Sequence, residues 1–246
     1  MAISPLSESI IWVGTDDGNI QLTTDGGLNW QNLRANIPDV PAGTWVSRIV
    51  ASKASSDRAY LTFDGHRTDL VEAFIFKTED QGHTWQRITA GIEGESIRVI
   101  IEDHRNANLL FAGTETGVWY TLDAGIKWNR LKLNMPTVSV YDLQIHSRDN
   151  DLIVGTHGRS LWILDDISPL QQMSAAVEAK PVHLFKQKPA TLWLNISRGG
   201  QRGHFWFAGD NPLTIKNTTS IPRAGFDNLA AISFYLGATA VDSVDL

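Results

Sequence analysis

"TTDGGLNW" at residues 23–30 has two close relatives downstream, "TEDQGHTW" at 78–85 and "TLDAGIKW" at 121–128. Each reads Thr, a free position, Asp, a free position, Gly, two free positions, Trp. These residue types suit a hairpin turn. An Asp accepts hydrogen bonds from the N–H groups of its own turn, and a Gly two residues on permits positive φ. A Trp five residues past the Asp packs its ring on the hairpin or on a neighbouring unit. Asp25, Gly27, Trp30, Asp80, Gly82, Trp85, Asp123, Gly125 and Trp128 are therefore read as scaffold.

A second phrase precedes each box: "WVGTDDG" (12–18), "YLTFDGH" (60–66), "FAGTETG" (111–117) and, a fourth time, "IVGTHGR" (153–159). From its Thr to the next Asp is ten residues in the first copy and nine in the third. In the second copy it is 18, because "GHRTDLVEA" lengthens the loop. The fourth copy keeps the frame from Thr156 to Asp165, but Ile163, Ile167 and Leu170 replace the box Thr, Gly and Trp.

Between these landmarks the pattern is short and of period 2. "VSRIVAS", "RAYLTF", "AFIFKT" and "TWQRIT" (46–52, 58–63, 73–78, 84–89) read as four consecutive strands, A to D. A unit of four strands that repeats is the signature of β-propeller blades. The expectation is an all-β fold of four-stranded blades in an incomplete ring, with about three and a half blades in residues 1–173. The first blade is expected to begin near its B strand. Trp12, Trp119 and Trp162 fall on strands and are read as inter-blade core.

Composition narrows the function. The chain has 246 residues, 42% hydrophobic and 20% charged, with a net charge of −6 and no run of Lys or Arg. That argues against non-specific nucleic-acid binding. No apolar stretch reaches the roughly 18 residues of a membrane span, so no membrane partner is expected. The absence of Cys excludes disulfides and thiolate metal sites. The seven His are scattered without an HExxH motif, so neither metal nor cofactor is expected.

In a propeller the B→C and D→A loops share one face, and the box turns, being C→D, lie on the other. The B→C turns carry Asp16 and Asp17, then Asp64, His66 and Arg67, then Glu115, then His157 and Arg159. Polar turns are common in their own right, yet a shared rim also gathers such side chains around one pocket. Asp16, Asp17, Asp64 and Glu115 are the candidate catalytic carboxylates. His66, Arg67, His157 and Arg159 are the candidate ligand contacts.

The box is the motif known as the Asp-box or BNR repeat, found in sialidases, sortilin and several glycosidase propellers. "IWVGTDDGNIQLTTDGGLNW", "YLTFDGHRTD", "LLFAGTETGVWYTLDAGIKW" and "VGTHGRSLWILDDISPL" resemble bacterial sortilin-like BNR-repeat proteins often labelled glycosyl hydrolases. The resemblance covers roughly residues 8–173. It implies a β-rich connection at 174–226 and the start of a β-sandwich-like domain at 227–246 ("AAISFYLGATA"), within a longer propeller protein that supplies the remaining blades. It also implies an extracellular or periplasmic setting.

Two functions follow: a ligand-binding or scaffold module for a protein, peptide or glycan, or a glycoside hydrolase working from the rim. The second needs paired carboxylates about 5–5.5 Å apart for retention or about 6.5–9.5 Å for inversion. The arginine cluster and tyrosine nucleophile of sialidases find no match on the B→C turns, which hold only Arg67 and Arg159 and no Tyr.

Overall fold

The computed structural model describes residues 1–132, 134–188 and 232–237, and the chain divides into two units, Met1–Met173 and Ser174–Leu246. The first unit holds four antiparallel sheets in chain order. Blade 1 is β1 (Ala2–Ser4), β2 (Ser7–Gly14), β3 (Ile20–Thr23) and β4 (Gln31–Asn32). Blade 2 is β5 (Trp45–Ala51), β6 (Ala59–Gly65), β7 (Leu70–Thr78) and β8 (Gln86–Arg87). Blade 3 is β9 (Ile97–Glu102), β10 (Leu110–Thr114), β11 (Val118–Thr121) and β12 (Asn129–Arg130). Blade 4 is the three-stranded sheet β13 (Val140–Ile145), β14 (Leu152–Thr156) and β15 (Leu161–Leu164).

The first blade differs from the sequence expectation. It has an A strand, the three residues of β1, paired through Ala2↔Trp12 and Ile3↔Ile11. Three residues are too short to show a period, which is why the sequence pattern begins at the B strand. The D strands are only two residues long, against the six suggested by "TWQRIT". The lengthened second loop is a 3-10 turn (His66–Thr68) and a left-handed Asp69 (φ 56°), after which β7 runs for nine residues.

Each box turn closes in the same way. The Thr hydroxyl donates to the Asp (Thr23–Asp25 2.7 Å, Thr78–Asp80 2.8 Å, Thr121–Asp123 2.6 Å) and accepts the Gly N–H two residues further on. The same Asp oxygen takes the N–H four residues ahead of it, from Asn29, Thr84 and Lys127, at 2.9 Å each. Gly82 and Gly125 are needed twice over. Both have positive φ (81° and 95°), and a Cβ would lie 2.5 Å from Leu33 or 2.6 Å from Ile88 in the preceding blade. The box turn is thus pressed against its neighbour.

The box Trp completes that contact. Trp85 packs edge-on against Trp12 of blade 1, with ring centroids 5.9 Å apart. Trp128 is buried against blade 2 and donates from Nε1 to the Ile88 carbonyl at 2.6 Å. Three apolar clusters follow, one per blade junction. Trp12, Ile20 and Leu22 meet Leu61, Phe63 and Trp85; Tyr60 and Ile75 meet Ile100 and Trp128; Phe111 and Val118 meet Val140 and Val154.

Blade 4 replaces the box with α1 (Ser168–Gln172). Leu170 packs on the blade 3–4 cluster, and Gln171 donates to Asp103 Oδ1 at 2.8 Å, so a helical turn fills the place of the lost Trp.

In the second unit, α2 (Ala175–Glu178) precedes β16 (Val182–Leu184), which pairs antiparallel with β17 (Phe234–Leu236). The connection and sandwich expected at 174–246 are described only in these parts; residues 189–231 and 238–246 lie outside the described residues.

Candidate functional site

The B→C turns use their acids in two ways. Asp16 and Asp17 in blade 1 are exposed. Asp17 accepts from the Thr15 hydroxyl and from the Asn19 side chain (2.9 Å) and backbone (3.4 Å). These bonds, Thr15 first, hold its carboxyl below the usual range. That is the opposite of what a general acid needs.

Blades 2 to 4 bring their turns together. Asp64 lies one residue before the end of a fully buried strand, β6, and its side chain is 0% exposed. Its partner is Arg98 on the A strand of blade 3, with Nη1 at 3.1 Å from Asp64 Oδ2. Arg98 Nε also donates to Glu115 Oε1 at 2.6 Å, and Nη2 bonds the same oxygen. Nη2 lies 3.2 Å from His66 Nε2, while His66 Nδ1 is 2.9 Å from Asp64. A guanidinium only donates, so Nε2 accepts and Nδ1 carries the proton shared with Asp64.

The cluster continues into blade 4. The Arg98 guanidinium lies 4.3 Å from the Tyr141 ring centroid, and Tyr141 stacks on His157 at 4.9 Å. From blade 2, Arg48 Nη2 reaches Asp142 Oδ1 at 2.6 Å, joining the A strands of blades 2 and 4 past blade 3. Arg67 covers the Trp45 ring at 4.8 Å. Arg159 is exposed at the tip of the last turn, where its carbonyl accepts from Trp162 Nε1 at 2.9 Å.

The structure therefore gathers Asp64, His66, Glu115 and His157 through Arg98 and Tyr141. Asp16 and Asp17 have no bond into that cluster among the described contacts. Sequence reasoning missed Arg98, Arg48, Tyr141 and Asp142, all on A strands. The signal available was a charged residue inside an apolar strand: Arg98 in "IRVIIED" is 8% exposed, and a buried charge needs partners.

Beside Glu115 the same rim holds a cleft of about 390 Å³, lined by Thr116, Gly117, Arg130, Lys132, Met135 and Thr137 among others. Arg130 Nη2 donates to the Thr116 carbonyl at 2.7 Å, and the Thr116 hydroxyl donates to buried Glu95 at 2.8 Å. Among the described residues no group of three or more His, Asp or Glu is placed to hold a metal ion.

The repeated sheets and box turns decide what the chain is made of. These are Asp-box propeller blades. Residues 73–175, from the C strand of blade 2 through blade 4, match the family model described as "Sortilin, neurotensin receptor 3". The chain is 28% identical over 113 residues to the vacuolar protein sorting/targeting protein 10 of Chaetomium globosum, covering 44% of this chain and 7% of that protein. Among solved structures it is similar to the GH74 xyloglucanase of Xanthomonas campestris (TM-score 0.51, 18% identity, 68% of this chain, 26% of that one). It is also similar to YCF48 bound to D1 peptide (TM-score 0.50, 15% identity, 68% of this chain, 51% of that one). The chain spans a small part of the curated relative and a quarter to a half of these structures. At such identities the solved structures establish the fold alone.

Proposed function

We propose that the chain is a ligand-binding module, working within a larger propeller, that takes a protein or peptide on the rim of blades 2 to 4. The observation that carries this reading is the closure of Asp64 and Glu115 around one guanidinium. A guanidinium offers donors in a fixed fork, and those of Arg98 reach Asp64, Glu115 and His66. Carboxylates engaged by one guanidinium favour a shaped binding surface over a free acid–base pair. Around this core sit groups suited to a polar chain: the Tyr141–His157 stack, Arg67 on Trp45 and the Thr116–Arg130 cleft. The sorting/targeting protein among its relatives supports a polypeptide ligand.

The test is a peptide array beside a glycan array and an oligosaccharide-hydrolysis screen, on the chain and on an Arg67→Ala/Tyr141→Ala/His157→Ala variant. Peptide binding that the variant loses, with no turnover, is expected. Glycan binding without turnover keeps the module and changes the ligand. Hydrolysis that disappears in Glu115→Gln overturns the reading in favour of the glycosidase.

A further inference from the structure

Blades 2 and 3 build the same corner from the same repeat positions and finish it differently. In blade 2, Arg87 lies opposite Phe76, and its Nη2 donates to the Ala73 carbonyl and to Glu72 Oε1, at 2.6 Å each. Its Nε donates to the Thr89 hydroxyl at 3.2 Å. Arg130 of blade 3 lies opposite Trp119 and is the counterpart of Arg87, two residues past the box Trp in both blades. Its Nη2 keeps the backbone bond, to the Thr116 carbonyl at 2.7 Å. Glu115 stands where Glu72 does, six residues before the box Thr, but Arg98 takes it through Nε at 2.6 Å. Lys132 replaces Thr89. Arg130 therefore keeps the carbonyl of its counterpart and lacks both the carboxylate and the hydroxyl. Among the described residues no other acid pairs with it.

Arg130 lines the cleft of about 390 Å³ beside Glu115, and the other charged residue on its wall is Lys132. Two cations and no acid thus line a cleft in a chain whose net charge is −6. Arg130 is half-buried, and a guanidinium drawn partly out of water gains from a counter-charge. Gly117 keeps side-chain bulk off its edge: a Cβ there would lie 3.5 Å from Nη2 and 3.9 Å from Nε. Leu131, Met135 and Pro136 add an apolar wall. Two acids adjoin Thr116, and neither lines the cleft: Glu115 is held by Arg98, and Glu95 accepts the Thr116 hydroxyl at 2.8 Å. The cleft belongs to blade 3 and its link to blade 4, within the run of four blades rather than at either end of it.

We propose that this cleft is a carboxylate subsite, in which Arg130 and Lys132 bind an Asp or Glu side chain of a peptide held on the rim. The bound carboxylate takes the part that Glu72 plays in blade 2. It accepts from the remaining N–H groups of Arg130, whose planar fork matches two carboxylate oxygens. Lys132 adds a second positive charge, and the apolar wall packs the carbon stem of the acid. The inference rests on the peptide-binding reading above and narrows it, from any polypeptide to one that presents an acidic residue.

The first test needs no peptide. Capped glutamate (N-acetyl-glutamate N-methylamide) is titrated into the chain and followed by NMR of the arginine Nε–H groups. The Arg130 signal, assigned by its loss in Arg130→Gln, is expected to shift saturably with capped glutamate and to stay still with capped glutamine. Thr137→Glu, an exposed substitution that puts a carboxylate on the cleft wall, should abolish that shift. The second test takes the peptides selected by the array, capped at both ends, and replaces each acid by its amide. One such replacement should weaken binding to the wild-type chain by about tenfold and leave binding to Arg130→Gln/Lys132→Gln unchanged. Circular dichroism confirms that each variant is folded. If the array selects no peptide while capped glutamate still shifts Arg130, the carboxylate subsite stands and the peptide reading falls. An Arg130 signal unmoved by capped glutamate, or equal affinity for acid and amide peptides, overturns the subsite whatever the array selects.

Discussion

Blades 1 and 2 are built from the same phrases and behave differently. In blade 1 the rim acid Asp17 is satisfied inside its own turn by Thr15 and Asn19, and the box Trp30 lies half in solvent. In blade 2 the rim acid Asp64 is buried and bound to Arg98 of the next blade, and the box Trp85 is buried on Trp12 of the previous one. A repeat motif thus specifies a local turn, while its energetic weight comes from the neighbouring blade. A polar turn becomes a site when an adjacent strand supplies a buried counter-charge.

The largest effect is expected at Arg98. Arg98→Ala leaves Asp64 buried without its cation and should cost about 3–5 kcal/mol in urea unfolding. Asp17→Ala should fall within the scatter of ordinary surface substitutions. Equal losses for the two would end the distinction between a local turn and a shared cluster.

The box Trp gives the next contrast. Trp128→Ala removes a buried ring and its bond to Ile88, and should cost about 3–4 kcal/mol. Trp85→Ala should come close to that, and Trp30→Ala should stay below about 1 kcal/mol, because only its own Gly27 carbonyl receives its N–H. Thermal unfolding of the three variants ranks them directly.

In acid the two blades should behave alike. Asp25 is held at about 2 by the Asn29 backbone N–H and side chain, then by the Thr23 hydroxyl. Asp80 is held at about 2 by the Thr84 hydroxyl and N–H, with Thr78 adding to them. A carboxyl depressed in the folded state stabilises above its unfolded value, and that contribution fades as pH falls from about 4 towards 2. Stability should therefore drop across that window, and Asp80→Asn should flatten the drop in a pH series of urea midpoints. Asp25 is exposed and Asp80 half-buried, so solvent screens both and this effect ranks below the two above.

The smallest effect belongs to the rim surface. Arg67→Ala removes a cation from the Trp45 ring and should cost about 0.5–1 kcal/mol in stability. Its larger consequence is expected in peptide affinity, and a ratio of binding loss to stability loss near one would count against Arg67 as a ligand contact.

The repeat frame, the all-β class and the box turns were legible in the sequence, because hairpins are set by residues close along the chain. Thr, Asp and Gly at fixed offsets satisfy one another within a few residues, whatever lies beyond. β1 and α1 were not legible: three residues carry no period, and α1 exists because Leu170 and Gln171 find partners on blade 3. The rim was half legible. Turn position picks out Asp64, His66, Glu115 and His157, but Asp16 and Asp17 read the same way and stand apart. Only tertiary structure made that choice. Arg98, Tyr141 and Arg48 enter from A strands of other blades, up to 94 residues away in the chain, and a buried charge is decided by which opposite charge the fold brings within reach.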